Sequence, residues 1–159
     1  MSSKSLCAWV RAAVIAAAVC GSVLCLGILP DWGRQIVAEN PNMENWFLPW
    51  LIFLWAAALP CFAILVFVWK VSGAIAREEV FTLRTAKRIK TAAGLLFADA
   101  GFFFAGNLAL LLLNMSHPFV LFLSIFADIF AVAAAILAAT LSRYITKAAA
   151  LQEESEGTI

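Results

Sequence analysis

A run of 24 residues, from Trp46 to Trp69, contains no charged side chain and constrains this chain more than any other feature. A helix needs about 20 mostly apolar residues to cross the hydrocarbon core of a bilayer. The four segments that meet this requirement are residues 12–29, 46–69, 91–113 and 117–141. Because only helices and closed barrels satisfy their backbone hydrogen bonds in lipid, we predict an all-α integral membrane protein with four transmembrane helices. It would form one membrane domain over residues 1–159.

Composition supports this prediction and excludes other classes of protein. Hydrophobic residues make up 64% of the 159 residues and charged residues 13%, whereas soluble domains contain about 45–50% and about 25%. A soluble domain of this size cannot bury so much apolar surface, since a large share of any small protein is surface. The chain is therefore predicted to be neither a soluble enzyme, nor a disordered protein, nor a domain that binds nucleic acid directly.

The charges predict how the chain crosses the membrane. The connections between spans are short, which predicts an up-down-up-down bundle. Ten of the eleven Lys and Arg residues lie in the termini and in a basic loop, residues 70–90; the exception is Arg34. By the positive-inside rule, this loop, both termini and an acidic tail, residues 142–159, are predicted to be cytoplasmic, with the protein in the inner (plasma) membrane. The first span lacks a small-residue cleavage site and is interpreted as uncleaved.

The sequence offers no set of residues that is typical of an enzyme. Its four cysteines contain no C-x-x-C pair, and there is one histidine, which argues against a zinc or thioredoxin-like site. Cys20, Cys25 and Cys61 are interpreted as small hydrophobic residues within the spans. No nucleophile–base pair or metal-ligand cluster is visible, so we expect no enzymatic activity and no cofactor.

Two aspartates, Asp99 and Asp128, lie near the middle of the third and fourth spans, where a carboxylate is costly. Asn107 lies near Asp99 on the helical wheel, and Ser124 shares the face of Asp128. The pair either binds a proton or cation, or consists of hydrogen-bonded contacts that pin two helices together. Measured from the cytoplasmic span ends, the aspartates differ in depth by about one and a half helical turns.

Three further features have both a packing and a functional interpretation. Ala13, Ala17 and Gly21 would let the first helix approach a neighbour closely, unless they only mark an alanine-rich helix. Pro60 is expected to kink the second span, either to open a cavity or to fit its packing. His117 would form a turn before the fourth helix or sense pH.

Basic residues surround the predicted start of the third helix. Thr82 is the expected N-cap and the helix is expected to begin near Leu83. The basic residues of this segment are Arg84, Lys87, Arg88 and Lys90. They would contact anionic headgroups of the lipid bilayer or a cytoplasmic protein partner. The tail, with Glu153 and Glu154, would pair with this segment or remain frayed and solvated.

Two stretches carry a family resemblance. The first reads Ala76-Arg77-Glu78-Glu79-Val80-Phe81-Thr82, followed by Leu83-Arg84. The second is the C-terminal segment Leu151-Gln152-Glu153-Glu154-Ser155-Glu156-Gly157-Thr158-Ile159. In these stretches and in its helix layout, the chain resembles the small four-helix bacterial membrane proteins described as domain of unknown function 2975.

The resemblance implies a role rather than a chemistry, because that family has no established activity. Its genes often lie beside a small helix-turn-helix repressor-like protein. The resemblance therefore implies a non-enzymatic membrane component that works with a cytoplasmic transcription regulator, with the tail from Glu153 to Ile159 as a contact. The alternative is a small proton- or cation-coupled transporter or channel subunit, as a homo-oligomer, that uses Asp99 and Asp128.

Overall fold

The computed structural model describes residues 3–77 and 79–156, and nearly all of these residues are helical. The elements are α1 (Ser3–Val23), a π-helical turn (Leu24–Ile28), α2 (Leu29–Glu39), a 3₁₀ turn (Pro41–Met43), α3 (Glu44–Ala76), α4 (Leu83–Leu112) and α5 (Pro118–Glu156). Some residues lie outside the described ones: Glu78, in the first of the two stretches that carry the resemblance, and the last three residues, which include the predicted contact Ile159.

Among the described residues, four helical stretches are long and apolar enough to cross a membrane. They are Ser3–Glu39, Pro41–Ala76, Leu83–Leu112 and Pro118–Ser155. The shortest, α4, has 30 residues and therefore measures about 45 Å, against the roughly 30 Å of a hydrocarbon core. Each predicted span falls within one of these stretches or within one residue of its end. The prediction of an all-helical chain with four helices long and apolar enough to cross a membrane is thereby confirmed for the described residues.

Two of the predicted connections, residues 30–45 and 70–90, were too long, whereas the connection predicted at residues 114–116 extends over residues 113–117. The helical stretch that begins at Ser3 continues through Pro30 to Glu39. In the predicted basic loop, only residues 77–82 separate α3 from α4. α5 continues to Glu156, so the interpretation of the tail as frayed is wrong over the described residues.

The helices pack in the order of the chain. α1 packs on α3, α3 on α4, and α4 on α5; within the described residues, α5 makes no close backbone approach to α1 or α3. The accessible surface is 10,804 Å², whereas a compact soluble protein of this mass exposes about 7,800 Å². Much of the excess is apolar, such as Phe130 at 74% exposed. A surface of this kind requires lipid or protein to cover it.

α4 and α5 form a closely packed hairpin. Small residues recur every seven positions along their contact, and all are at most 5% exposed: Ala86, Ala93, Ala100 and Asn107 on α4; Ala135, Ser142 and Ala149 on α5. A period of seven keeps one seam of a helix facing its partner, and small side chains let the two backbones approach. We call this contact the hairpin seam.

A capped turn joins the two helices of the hairpin. The Met115 N–H donates to the Leu110 carbonyl at 2.8 Å, and the Asn114 N–H donates to the Leu111 carbonyl at 3.0 Å. Asn114 adopts φ 55°, the left-handed conformation that this helix ending needs. The ring nitrogen of His117 then accepts from the N–H of Phe119, so His117 forms the turn into α5.

α1 and α3 are joined through side chains. The Arg11 guanidinium lies 5.0 Å from the centre of the Trp69 ring and donates to the Ser72 hydroxyl at 3.3 Å. Ala13 and Ala17 are exposed, so the predicted small-residue contact face is wrong at these two positions. The buried residues of α1 are instead Cys7 and Val14. Gly21, which lies against Phe62, follows Val14 by seven residues, as Val14 follows Cys7.

Candidate intramembrane polar site

Asp99 lies in the middle of α4, beside the hairpin seam, and is 9% exposed. One carboxyl oxygen, Oδ2, accepts a hydrogen bond from the thiol of Cys61 on α3, with 3.3 Å between Sγ and Oδ2. The other oxygen, Oδ1, is buried and has no hydrogen-bond partner within residues 3–77 and 79–156. The contact with Cys61 connects α4 to α3 in the middle of the predicted spans.

The structure changes the interpretation of Cys61, which was expected to be only a small hydrophobic residue. Cys61 follows Pro60, and the side chain is exposed while its thiol points at the Asp99 carboxyl. The positions of the two residues within their predicted spans could have indicated this contact. Cys61 and Asp99 each lie eight residues from the predicted cytoplasmic end of their span, at Trp69 and Thr91, and therefore at equal depth. Comparing depths across spans would have paired them.

Asp128 lies on the hairpin seam of α5, seven residues before Ala135. The Ser142 hydroxyl donates to the Ala86 carbonyl at 2.7 Å, which fixes the alignment of the two helices. Asp99 is thirteen residues beyond Ala86 and Asp128 fourteen residues before Ser142, so both lie about 20 Å from that bond. This alignment places the two carboxyl groups at about the same depth along the hairpin.

The offset of one and a half turns predicted between the two aspartates is therefore wrong. It was measured from the polar ends of the spans, whereas the packing of α4 on α5 determines the alignment. Like Asp99 Oδ1, the Oδ2 atom of Asp128 is buried and has no hydrogen-bond partner among the described residues. A buried acceptor without a partner costs about 1–3 kcal/mol, and more if it is charged. A proton or a cation between the two groups would remove much of this cost.

Asn107 and Ser124, the other two polar residues predicted for this site, lie apart from the carboxyl groups. Both are buried, at 3% and 5% exposed. The Asn107 amide donates to the Phe103 carbonyl at 2.9 Å, and the Ser124 hydroxyl donates to the Leu121 carbonyl at 2.8 Å. Each therefore bonds to its own helix, as is common for short polar side chains. The candidate site consists of Asp99, Asp128 and Cys61.

An aromatic layer borders the site on the side of the α4–α5 turn. The ring of Phe53, on α3, stacks on Phe103 with 5.6 Å between ring centres and an interplanar angle of 9°. It also lies at 5.6 Å from Phe102, tilted by 41°. The ring occupies the space that a side chain at position 106 would need, so Gly106 allows this approach. Phe102 and Phe103 are three and four residues beyond Asp99, one helical turn away.

A cavity of about 320 Å³ lies on the opposite side of the site, among α1, α3, α4 and α5. Its lining includes Val10, Ile64, Leu96 and Ala134, and it reaches Arg88. Leu96 and Ile64 are one helical turn from Asp99 and Cys61. The polar site thus lies between an aromatic layer on one side and an almost entirely apolar cavity, one helical turn away, on the other.

The basic residues predicted as one contact surface separate in the structure. The Thr82 hydroxyl accepts from the N–H of Thr85 at 3.3 Å, which confirms the predicted N-cap of α4 at Leu83. The Arg88 guanidinium donates to the Lys70 carbonyl at 3.4 Å. Lys90 instead lines a groove with α5. The remaining predicted contacts are exposed and lie at the same end of the helices: Arg84, Lys87, Glu153 and Glu154.

Four apolar helices and a polar site at mid-span define a multi-pass membrane protein. Among the residues that the structure describes, no three metal-ligating side chains form a cluster. The chain matches the family described as "Protein of unknown function (DUF2975)" over residues 31–159. It belongs to that family, as the resemblance indicated. No curated protein and no solved structure matches the chain.

Proposed function

We propose that this protein binds a proton or a small monovalent cation within the membrane, between Asp99 and Asp128. The observation that carries the proposal is the pair of buried carboxyl oxygens without partners, Asp99 Oδ1 and Asp128 Oδ2. A pair of packing pins would bond all of its buried oxygens; Asp99 Oδ2 does so, to the Cys61 thiol of α3, but Asp99 Oδ1 and Asp128 Oδ2 do not. Ionisable groups inside a membrane are costly, and in membrane proteins they mark ion or proton pathways.

The number of ligands favours a proton or a monovalent cation over a divalent one. Calcium and magnesium take six or more oxygen ligands, whereas this site offers two carboxyl groups and the Cys61 thiol. One proton shared between the carboxyl groups would neutralise one of them and bond to the other. The cavity between Arg88 and Leu96 supports access from the basic end of the helices.

A coupled transporter or channel subunit is the activity that such a site would serve. The helices pack in chain order, so a continuous pathway through the membrane would require further copies of the chain, as a homo-oligomer. The mass of the assembly in lipid nanodiscs would measure this state. We propose no enzymatic reaction and no cofactor for the protein.

Dicyclohexylcarbodiimide, which modifies protonated carboxyl groups in apolar surroundings, tests the site directly. We expect labelling at Asp99 or Asp128 that declines in alkaline buffer or with added sodium, and loss of labelling in Asp99→Asn and Asp128→Asn. Cys61→Ala should alter the pH dependence, whereas Cys20→Ala, at an exposed position on α1, should not.

The transport role needs its own measurement. Proteoliposomes with an internal pH dye should show proton or sodium-coupled flux for the wild type and none for the double Asn variant. If the wild type is labelled but shows no flux, the proposed binding site stands and the transport role is contradicted. If neither aspartate is labelled from mildly acidic to mildly alkaline buffer, the binding proposal itself is wrong.

A second candidate function is docking of a cytoplasmic transcription regulator of the helix-turn-helix class. The observation that favours it is the ordered end of the hairpin, where Ile145 and Ala149 are each 4% exposed beside the start of α4. This packing supports a helical platform that ends in exposed Glu153 and Glu154.

Deletion of residues 151–159 tests the docking candidate. The truncated protein should insert normally but should no longer retain the regulator in a pull-down. Glu153→Gln with Glu154→Gln should weaken retention if charge recognition contributes. Equal retention by the full-length and truncated proteins would contradict this function.

We further propose the inner (plasma) membrane as location, an up-down-up-down bundle, and both termini in the cytoplasm. Ten of the eleven Lys and Arg residues lie in the termini or in residues 70–90, which supports this orientation. Contacts between the start of α1 and the end of α3, such as Arg11 with Ser72, support the topology. A C-terminal reporter that is active only in the cytoplasm should be active, and the same reporter within residues 40–43 should be inactive.

A further inference from the structure

A groove of about 690 Å³ lies between Lys90, near the start of α4, and residues 139–147 of α5, away from the carboxyl site. Three cationic side chains line this basic groove: Lys90 from α4, and Arg143 and Lys147 from α5. No acidic side chain is part of the lining. Arg143 and Lys147 are four residues apart and therefore share one face of α5.

The three cations lack a counter-charge within the described residues. None of them forms an ion pair with any of residues 3–77 or 79–156. Three like charges around one groove repel one another, and each would be stabilised by an anion placed among them. Among the described residues, positive charge is thus assembled here without an ion-pair partner.

The donors of the basic groove suit a phosphate group. The Thr140 hydroxyl donates to the Ile136 carbonyl at 2.8 Å, and the Thr146 hydroxyl donates to the Ser142 carbonyl at 2.9 Å, so neither can donate to a ligand. The donors that remain are the two ammonium groups, the Arg143 guanidinium and the phenol of Tyr144. A guanidinium binds phosphate oxygens through two parallel hydrogen bonds.

We propose that the basic groove binds the phosphate of an anionic phospholipid. On the membrane side of the groove, Ile136 and Leu137 are 57% and 71% exposed, which provides an apolar surface for acyl chains. Tyr144 is 66% exposed at the groove, in the manner of aromatic residues at headgroup level. Basic pockets between membrane helices are known to hold anionic headgroups. A soluble phosphate would leave the apolar surface uncovered.

The test uses the full-length protein in a neutral detergent, titrated with short-chain phosphatidylglycerol and followed by native mass spectrometry. The wild type should retain one phosphatidylglycerol and no phosphatidylcholine of equal chain length. Each basic residue near a membrane surface contributes about fivefold to the affinity, so Arg143→Gln with Lys147→Gln should weaken binding roughly 25-fold. Both residues are exposed, so the variant should remain helical by circular dichroism.

The matched control is Arg84→Gln with Lys87→Gln, which removes equal charge from exposed positions outside the basic groove. It should weaken binding by less than about threefold. Equal losses in the two variants would overturn the proposal, because diffuse charge would then explain binding. Equal retention of phosphatidylcholine would overturn it too. If inorganic phosphate alone displaces the lipid at modest excess, the ligand is a soluble phosphate and the lipid assignment fails.

Discussion

The two halves of this molecule are held together in different ways. In the α4–α5 hairpin, small residues at every seventh position bring the backbones together, and the Ser142 hydroxyl reaches the Ala86 carbonyl of the other helix. In the α1–α3 pair, large side chains bridge the helices: Arg11 covers the Trp69 ring, and the Trp55 indole donates to the Cys25 carbonyl at 2.8 Å.

The π-helical turn explains why the α1–α3 pair needs the Trp55 bridge. The N–H of Leu29 bonds to the Leu24 carbonyl, five residues earlier. The next bond in this register would start from Pro30, which has no N–H to donate to the Cys25 carbonyl. The indole of Trp55 satisfies that carbonyl instead. We therefore expect larger side chains on the hairpin seam to disrupt the α4–α5 hairpin. Loss of the side-chain hydrogen bonds should instead disrupt the α1–α3 pair.

The largest effect is expected from Ala100→Leu on the hairpin seam. Ala100 is 5% exposed against α5, so the larger side chain must separate two close backbones, at a cost of about 3 kcal/mol. SDS titration of the detergent-solubilised protein, followed by circular dichroism, would measure the loss. Ala109→Leu, on the exposed face of α4, is the control and should change stability little. Equal losses in both variants would contradict the seam.

Gly106→Ala is expected to cost about 2 kcal/mol, because the new methyl group takes the place of the Phe53 ring. The ring is held by its stacking on Phe103 and has to leave that position. Gly101→Ala meets no atom within 4 Å and should stabilise α4 by up to about 1 kcal/mol. The same SDS titration would measure the stability of both variants. A loss in Gly101→Ala as large as in Gly106→Ala would argue against the contact with Phe53.

Trp55→Phe separates hydrogen bonding from aromatic packing in the α1–α3 pair. The phenyl ring retains an apolar body but leaves the Cys25 carbonyl without its donor, at a cost of about 1.5 kcal/mol. Hydrogen exchange should increase around residues 24–30 and remain unchanged in α5. Unchanged exchange around the π-helical turn would show that the indole bond is dispensable.

Thr82→Ala should have the smallest effect, about 1 kcal/mol, because it removes one cap at the start of α4. Exchange of the amides of residues 83–86 would report local fraying. Thr82→Ser keeps the hydroxyl and should behave as the wild type. Fraying in the Ser variant equal to that in the Ala variant would assign the effect to the lost methyl group.

The sequence predicted the features that depend on local composition. Long apolar runs identified four spans, and the polar Thr82 before Leu83 identified a helix start. Features that depend on packing were not accessible in this way. The alignment of Asp99 with Asp128 follows from the small residues of the seam, and the thiol of Cys61 reaches Asp99 from another helix. Ala13 and Ala17 satisfied a small-residue pattern that the packing of α1 does not use.

α5 has a mechanical property that follows from its sequence. It contains no glycine and no proline after Pro118 over its 39 residues, whereas α3 contains Pro49 and Pro60. A helix without such breaks behaves as a stiff lever. The arm from Asp128 to Glu156 is about 42 Å long, so a tilt of about 10° at the carboxyl site would move the far end by about 7 Å. Any change of tilt at the carboxyl site would therefore be enlarged at the far end of this 39-residue helix.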